Sequence, residues 1–155
     1  MKVNNELRPS LVTQLECAIL MAVRVHFGQR DKGGNAYILH PLYVMSRFRD
    51  VKLKILSVLH DVKEDAKIDM DDIISNLTGD FFEPDILESL NLLTHKKGMS
   101  YKDYIENLSK NKRAKAVKIE DLLHNSDISR LKKEDREKSV GNLMKYKKAL
   151  QYLTK

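Results

Sequence analysis

The sequence predicts an all-α fold, because apolar residues recur at helical spacing along nearly the whole chain. No segment alternates apolar and polar residues with the period of two that a half-buried strand requires. Proline and glycine, which interrupt helices, are scarce, at 3 and 6 of 155 residues. This length and a hydrophobic content of 42% suit one core, so we expect a single compact helical domain over residues 1–155.

The first half of the chain contains three predicted helices and one loop. Ser10 is the expected N-cap of a helix that reaches about Gly28. Residues 29–39 carry paired glycines and are interpreted as an ordered loop. Pro41 lies in the first turn of the second helix, where its missing N–H costs nothing. The third helix, over about residues 52–65, is apolar on most sides, and we expect it at the centre of the domain.

The second half continues the helical pattern to the C-terminus. Asp69 is the expected cap of a short helix, and Pro84 is expected to break or kink the start of the next one. Leu123 and Val140 are expected to face inward on the last two helices. The five helices predicted in this half cover about residues 69–76, 80–93, 100–110, 111–125 and 132–153.

Composition limits the partners and the compartment. The net charge of +6 favours an anionic partner, a nucleotide or phosphate ester before a nucleic acid. The single cysteine, Cys17, excludes an internal disulfide framework and a cysteine-based zinc site. The polar N-terminus lacks the apolar core of a signal peptide, and no apolar stretch approaches the ~20 residues of a membrane helix. We therefore expect a cytoplasmic protein without membrane or nucleic-acid partners.

A polar pair, His60 and Asp61, interrupts the apolar third helix. Burying an ionised carboxylate beside an imidazole is unfavourable unless something pairs with both, and a divalent cation does so. Glu64 and Asp65 follow one helical turn later, on the same sector. The pair therefore indicates a metal site, although a hydrogen-bonded His–Asp pair with two solvent-facing acids would give the same local pattern.

A second polar face is predicted on the helix of residues 111–125. Lys118, Asp121 and Asn125 are spaced by three and then four residues, which places them on one helical face. Asp121 lies among apolar neighbours, so its carboxylate also requires a partner.

Four segments, in this order, carry a family resemblance. They are His-x-Gly-Gln-Arg-x-Lys-Gly at 26–33, Tyr-Ile-x-His-Pro at 37–41, Leu-His-Asp-Val-x-Glu-Asp at 59–65 and Val-Lys-x-x-Asp-x-x-x-Asn at 117–125. Together they resemble the HD-domain superfamily, and within it the (p)ppGpp hydrolase domain of the RelA/SpoT homologues. The resemblance implies an HD-type helical bundle. Because the chain has no room for a synthetase domain, it is similar to the stand-alone small alarmone hydrolases.

The resemblance implies a set of metal ligands. His40 matches the first family ligand, His60 and Asp61 the central pair, and Asp121 the last. His26 is the rival for the first position, but the family places that ligand before the proline. Two imidazoles and two carboxylates suit Mn²⁺, Fe²⁺ or Zn²⁺ better than Ca²⁺ or Mg²⁺, and family precedent points to Mn²⁺.

The resemblance also implies roles around the metal. Glu64 and Asp65 would orient the attacking water or carry a proton to the leaving group. Tyr146 matches a substrate-contacting position, although a place in the helix core would explain it equally well. Arg30 and Lys32 match positions that would face the nucleotide and its phosphates. Lys118 and Asn125 match positions that would lie beside the metal. His95 and His124 match no motif position and are expected to be surface or packing residues.

The function implied is metal-dependent hydrolysis of the 3′-pyrophosphate of ppGpp or pppGpp, giving GDP or GTP and pyrophosphate. Two alternatives remain open: an HD phosphohydrolase acting on NADPH, a nucleoside monophosphate or a cyclic nucleotide, and a non-catalytic nucleotide-binding HD module. The basic loop at Arg30 and Lys32 and the acidic pair at 64–65 favour the first. Ala66 and Glu120 depart from the family pattern, as does the basic stretch at 94–98, and they leave the choice of substrate open.

Overall fold

The computed structural model describes residues 8–65 and 81–155, and the elements named here belong to that part of the chain. These residues form helices and no β-strand; their only β-pairing is an isolated antiparallel bridge between Arg30 and Ala36. The prediction of an all-α fold is confirmed. Helices α1 to α9, in chain order, are Leu11–Val25, Leu39–Ser46, Val51–Leu59, Val62–Asp65, Pro84–Leu93, Tyr101–Ser109, Lys112–Ser126, Lys133–Lys138 and Val140–Leu153.

Side-chain caps fix where several helices begin, and the cap predicted at Ser10 is confirmed. Ser10 Oγ accepts a hydrogen bond from the backbone N–H of Thr13 at 3.2 Å, which starts α1. Ser100 and Asn111 cap α6 and α7 in the same way. Pro84 does not kink a longer helix but is the first residue of α5, a position that its fixed φ and missing N–H favour.

Helix α3 forms the centre of the core, as its apolar sequence predicted. It packs against α1, α2, α5 and α7. Ile55, Leu56 and Leu59 on α3 are fully buried, and Ala18 and Ala22 on α1 are small enough to let the two helices approach closely. The central position of α3 matters for the site, because its C-terminal end carries His60 and Asp61.

The core predicts a clear effect of one substitution. Ile55→Ala is expected to lower the free energy of unfolding by about 2–5 kcal/mol, because it leaves a cavity among fully packed side chains. Leu20→Ala is the control, since Leu20 is 68% exposed and its truncation should change stability by less than about 0.5 kcal/mol. Urea denaturation of both variants measures the difference; equal midpoints would contradict the central position of α3.

Two features of the C-terminal region differ from the prediction. The expected helix over residues 132–153 is divided at Ser139, whose hydroxyl donates to the Asp135 carbonyl at 2.8 Å and ends α8. The residues expected to face inward, Leu123 and Val140, are 50% and 52% exposed. The predicted helix capped by Asp69 lies outside the described residues. Within the described ranges, no helix combines the length and the apolar character that a membrane span needs.

Candidate metal centre and adjoining pocket

The helix is interrupted between α3, which ends at Leu59, and α4, which begins at Val62, although His60 itself keeps helical backbone angles (φ −57°, ψ −33°). The prediction of one continuous helix is therefore wrong here. His60 Nδ1 lies 2.6 Å from the Ser57 carbonyl oxygen. A carbonyl can only accept, so Nδ1 is the donor. In the neutral ring this leaves the lone pair on Nε2, the tautomer that a metal-binding histidine needs.

Four side chains predicted to be ligands come together from three elements. His40 from α2, His60 from the end of α3 and Asp121 from α7 are buried, with ligand atoms all within 4.8 Å of one another. His40 Nε2 lies 3.0 Å from Asp121 Oδ1 and 3.3 Å from His60 Nε2. Asp61 completes the group, because its Oδ2 lies 3.1 Å from His60 Nε2. We call these four residues the histidine–aspartate cluster.

The electrostatics of the cluster fit a cation. Burial alone would lower the pKa of His60, but Asp61 and Asp121 raise it well above its usual value. Burial would likewise raise the pKa of Asp61, but His60 lowers it to about 2. Two carboxylates therefore stay ionised around the two ring nitrogens. Such a convergent nitrogen and oxygen donor set suits a divalent transition metal.

Asp121 is held by its own helix, as the spacing on α7 predicted. Lys118 Nζ donates to Asp121 Oδ2 at 2.7 Å, and Asn125 Nδ2 donates to Asp121 Oδ1 at 2.7 Å. Burial would raise the pKa of Asp121, but Lys118 and the hydrogen bonds from His40 and His60 keep it well below its usual value. The carboxylate is therefore ionised and fixed in orientation.

Two residues that contact the cluster were not predicted to be site residues. The Tyr37 hydroxyl donates to Asp61 Oδ2 at 2.5 Å. His124 Nδ1 lies 2.7 Å from His40 Nδ1, so the expectation that His124 is an ordinary surface or packing residue is wrong. Its position three residues after Asp121 on α7 could have indicated this, since that spacing places both on one face.

His26 lies near the pocket and does not join the cluster among the described residues. Its Nδ1 is 2.8 Å from Gln29 Oε1, and its ring lies 4.9 Å from the ring of Tyr37. His26 therefore helps to orient the loop that follows α1, whereas His40 contacts the other ligand-type residues.

The acidic pair after the cluster is described only in part. Glu64 Oε1 accepts a hydrogen bond from the backbone N–H of His95 at 2.7 Å. The prediction placed Glu64 one turn after His60 on a continuous helix, but the helix is interrupted at residues 60–61. Glu64 is positioned by its hydrogen bond from the His95 backbone. Burial raises the pKa of Glu64. The side chain of Asp65 lies outside what the structure describes.

A polar pocket adjoins the cluster. Four of the five residues predicted to bind substrate line this pocket: Arg30, Lys32, Asn125 and Tyr146. Tyr37 lines it as well, and both Tyr37 and Asn125 donate hydrogen bonds to carboxylates of the cluster. Lys118 is not among the lining residues, because its ammonium is directed at Asp121. Its predicted contact with substrate is therefore not supported from this pocket.

Fold and site define an all-helical protein with a buried histidine–carboxylate centre beside a pocket whose lining includes the cations Arg30 and Lys32 and the acids Asp31 and Asp127. None of the known protein-family models matches the sequence. A solved structure described as a metazoan ortholog of SpoT that hydrolyzes ppGpp shares the fold, with a TM-score of 0.65 and 21% identity over 94% of this chain and 86% of that one.

Curated relatives identify the family. A protein of Borreliella burgdorferi named guanosine-3′,5′-bis(diphosphate) 3′-pyrophosphohydrolase is 31% identical over 124 residues, which are 70% of this chain and 18% of that protein. A GTP pyrophosphokinase of Streptomyces antibioticus is 28% identical over 144 residues, 87% of this chain and 17% of that protein. The chain is a homologue of the RelA/SpoT proteins with a RelA/SpoT-type HD domain, and it spans less than a fifth of the length of these relatives.

Proposed function

We propose that this domain hydrolyses the 3′-pyrophosphate of ppGpp or pppGpp, giving GDP or GTP and pyrophosphate. The observation that carries the proposal is the buried histidine–aspartate cluster, whose carboxylates accept hydrogen bonds from Tyr37 and Asn125. Both of these residues line the pocket that Arg30 and Lys32 also line. Such a centre suits metal-dependent hydrolysis of a phosphate ester. The activity for which the Borreliella relative and the SpoT ortholog are named supports the same reaction.

The metal in this proposal is Mn²⁺, held by His40, His60, Asp61 and Asp121. When bound, such a cation lowers the pKa of a coordinated water and neutralises charge on a phosphoryl oxygen. The protein supplies the orientation of the donors: His60 through the Ser57 carbonyl, and the two carboxylates through Tyr37, Lys118 and Asn125. Such supporting bonds fix ligand geometry and increase affinity.

In the reaction, water adds to the phosphorus that is bonded to the ribose O3′, and the P–O3′ bond breaks. The electron pair of that bond remains on O3′, which takes up a proton. Glu64 is the residue that we assign to proton transfer, with Asp65 as its predicted partner. The raised pKa of Glu64 suits this role, because a carboxyl group that titrates nearer to neutral pH exchanges protons more readily there.

The pocket residues bind the nucleotide in this proposal. Arg30 and Lys32 are exposed cations on the loop after α1, and they face the substrate phosphates across the pocket from α9. Asn125 and Tyr146 offer hydrogen-bonding groups to the ribose and phosphates. We propose that Lys118 acts at the metal side of the substrate, through its ion pair with Asp121.

The direct test is to incubate the purified protein with Mn²⁺ and ppGpp and to identify the products by chromatography. GDP and pyrophosphate are expected, with no turnover after chelation by EDTA. Parallel incubations contain NADPH, a nucleoside monophosphate, a cyclic nucleotide, or GTP with ATP. Robust cleavage of another nucleotide without cleavage of ppGpp would overturn the proposed substrate, and a protein that takes up no Mn²⁺ would indicate a non-catalytic module.

The hydrogen bond between His124 and His40 makes a separate prediction. The ring of His124 stacks on that of Tyr43, with their centres 4.1 Å apart. His124→Phe keeps an aromatic ring in this position but removes the nitrogen that contacts His40. Mn²⁺ affinity is expected to fall about 10- to 100-fold, the usual effect of losing a bond that orients a ligand. Isothermal titration calorimetry with Mn²⁺ measures this affinity. Leu123→Ala is the matched control on the same helix, and an unchanged affinity in His124→Phe would contradict the role of His124.

A further inference from the structure

The hydroxyl of Tyr101, the first residue of α6, is buried and has no hydrogen-bond partner among the described residues. A buried phenol that is unpaired is unfavourable, and groups of this kind in folded proteins usually have a partner that binds there. The aromatic ring packs against two other rings, with its centre 6.1 Å from that of His95 and 5.9 Å from that of Tyr104. The position of the ring is thus fixed, and the buried hydroxyl has an unused hydrogen bond among the described residues.

Two lysine ammonium groups lie near the aromatic rings of this region. Lys145 Nζ lies 4.7 Å from the centre of the Tyr101 ring and 5.4 Å from that of Tyr146. Lys118 Nζ lies 5.4 Å from the centre of the Tyr104 ring. We call Tyr101, Tyr104, Lys118 and Lys145 the tyrosine–lysine cluster. The tyrosine–lysine cluster contacts the histidine–aspartate cluster through Lys118, which binds Asp121. It adjoins the pocket of Arg30 and Lys32 because Lys145 lies near Tyr146, and Tyr146 lines that pocket.

The groups of the tyrosine–lysine cluster are mainly donors. Burial raises the pKa of the Tyr101 hydroxyl, so it stays protonated and donates. An ammonium has three N–H donors, and one of those of Lys118 is directed at Asp121. The nearest acids already have donors, since Asp121 binds Lys118 and Glu64 accepts from the His95 backbone. Fixed donors with paired acids recognise an oxyanion.

We propose that the Tyr101 hydroxyl, with Lys118 and Lys145, binds the outer phosphoryl group of the substrate's 3′-pyrophosphate, and therefore also binds inorganic pyrophosphate as the product. This inference rests on the proposed function. In that reaction the inner phosphorus lies at the histidine–aspartate cluster and the nucleoside in the pocket of Arg30 and Lys32. The outer phosphoryl group must then lie beside the histidine–aspartate cluster but outside the nucleoside pocket, and the tyrosine–lysine cluster occupies such a position.

The test measures binding of inorganic pyrophosphate and of GDP to the Mn²⁺-loaded protein by calorimetry. Tyr101→Phe is expected to weaken pyrophosphate binding about tenfold or more, the effect of losing one hydrogen bond to a charged group, and to leave GDP binding unchanged. Tyr43→Phe, which removes the hydroxyl of a 45% exposed tyrosine on α2, is the matched control. Arg30→Ala should give the opposite pattern, with weaker GDP binding and little change for pyrophosphate.

Tyr101→Phe removes one unpaired oxygen, so the variant should fold and be at least as stable as the wild type in thermal denaturation. Unchanged pyrophosphate affinity would overturn the inference and would mean that the hydroxyl binds a structural water. Weaker GDP binding without weaker pyrophosphate binding would also overturn it, since the site would then take the 5′-diphosphate. Both results are independent of turnover, so failure to hydrolyse ppGpp would reject the proposed function without affecting this measurement.

Discussion

Asp61→Asn is expected to abolish Mn²⁺ binding and ppGpp hydrolysis together. The substitution keeps the shape of the side chain and an oxygen that can accept from Tyr37, but it removes the negative charge next to His60 and His40. A neutral amide is a far weaker metal ligand than a carboxylate, so Mn²⁺ affinity should fall by more than about 100-fold, beyond the effect of losing a supporting bond. Turnover should fall to the level of the chelated wild type.

Elemental analysis after dialysis against Mn²⁺ and the ppGpp assay measure the two losses. Asp85→Asn is the matched control, because Asp85 is also an ion-paired aspartate with a lowered pKa, but it pairs with Lys52 and Arg113 away from the histidine–aspartate cluster. The control should retain both metal and turnover. If Asp61→Asn retained both while showing a native circular dichroism spectrum, the metal would have to lie elsewhere in the chain.

The elements of the fold were predictable from local sequence where the chemistry is local. A cap such as Ser10 acts on a backbone N–H three residues away, so it was predicted directly from the sequence. Ser139 was missed as a break, since sequence alone does not show whether a serine hydroxyl bonds to the carbonyl four residues earlier, which often bends a helix, or points to solvent. Exposure of Val140 was missed because its position on α9 depends on where that break falls.

The site was predictable where a motif or a helical spacing carried it. The four residues of the histidine–aspartate cluster were expected together, and the spacing of Lys118 and Asn125 around Asp121 gave their contacts. The contact between His124 and His40, 84 residues apart, was not predicted, because no motif position covers His124 and its spacing from Asp121 was not used. The Tyr101 hydroxyl could not be found at all, because an absent partner is visible only after the surrounding helices are packed.

Glu64→Gln is expected to leave Mn²⁺ binding intact and to lower the rate of ppGpp hydrolysis about 100-fold, the usual contribution of a general acid or base. Glutamine retains the oxygen that accepts from the His95 backbone N–H, so the side chain should keep its position and lose only the ability to carry a proton. Glu88→Gln on the exposed side of α5 is the matched control. A variant with wild-type turnover would exclude Glu64 from proton transfer and leave that role to Asp65.

The pH profile of this variant separates proton transfer from a loss of shape. Burial raises the pKa of Glu64. As the pH of the wild-type protein is lowered, Glu64 therefore becomes protonated at a higher pH than an ordinary glutamate does. If the ionised carboxylate is the base, the rate of the wild type should fall with decreasing pH through that raised pKa, whereas Glu64→Gln should lack this step. Profiles of the same form in both proteins would mean that Glu64 positions the His95 segment and does not exchange the proton.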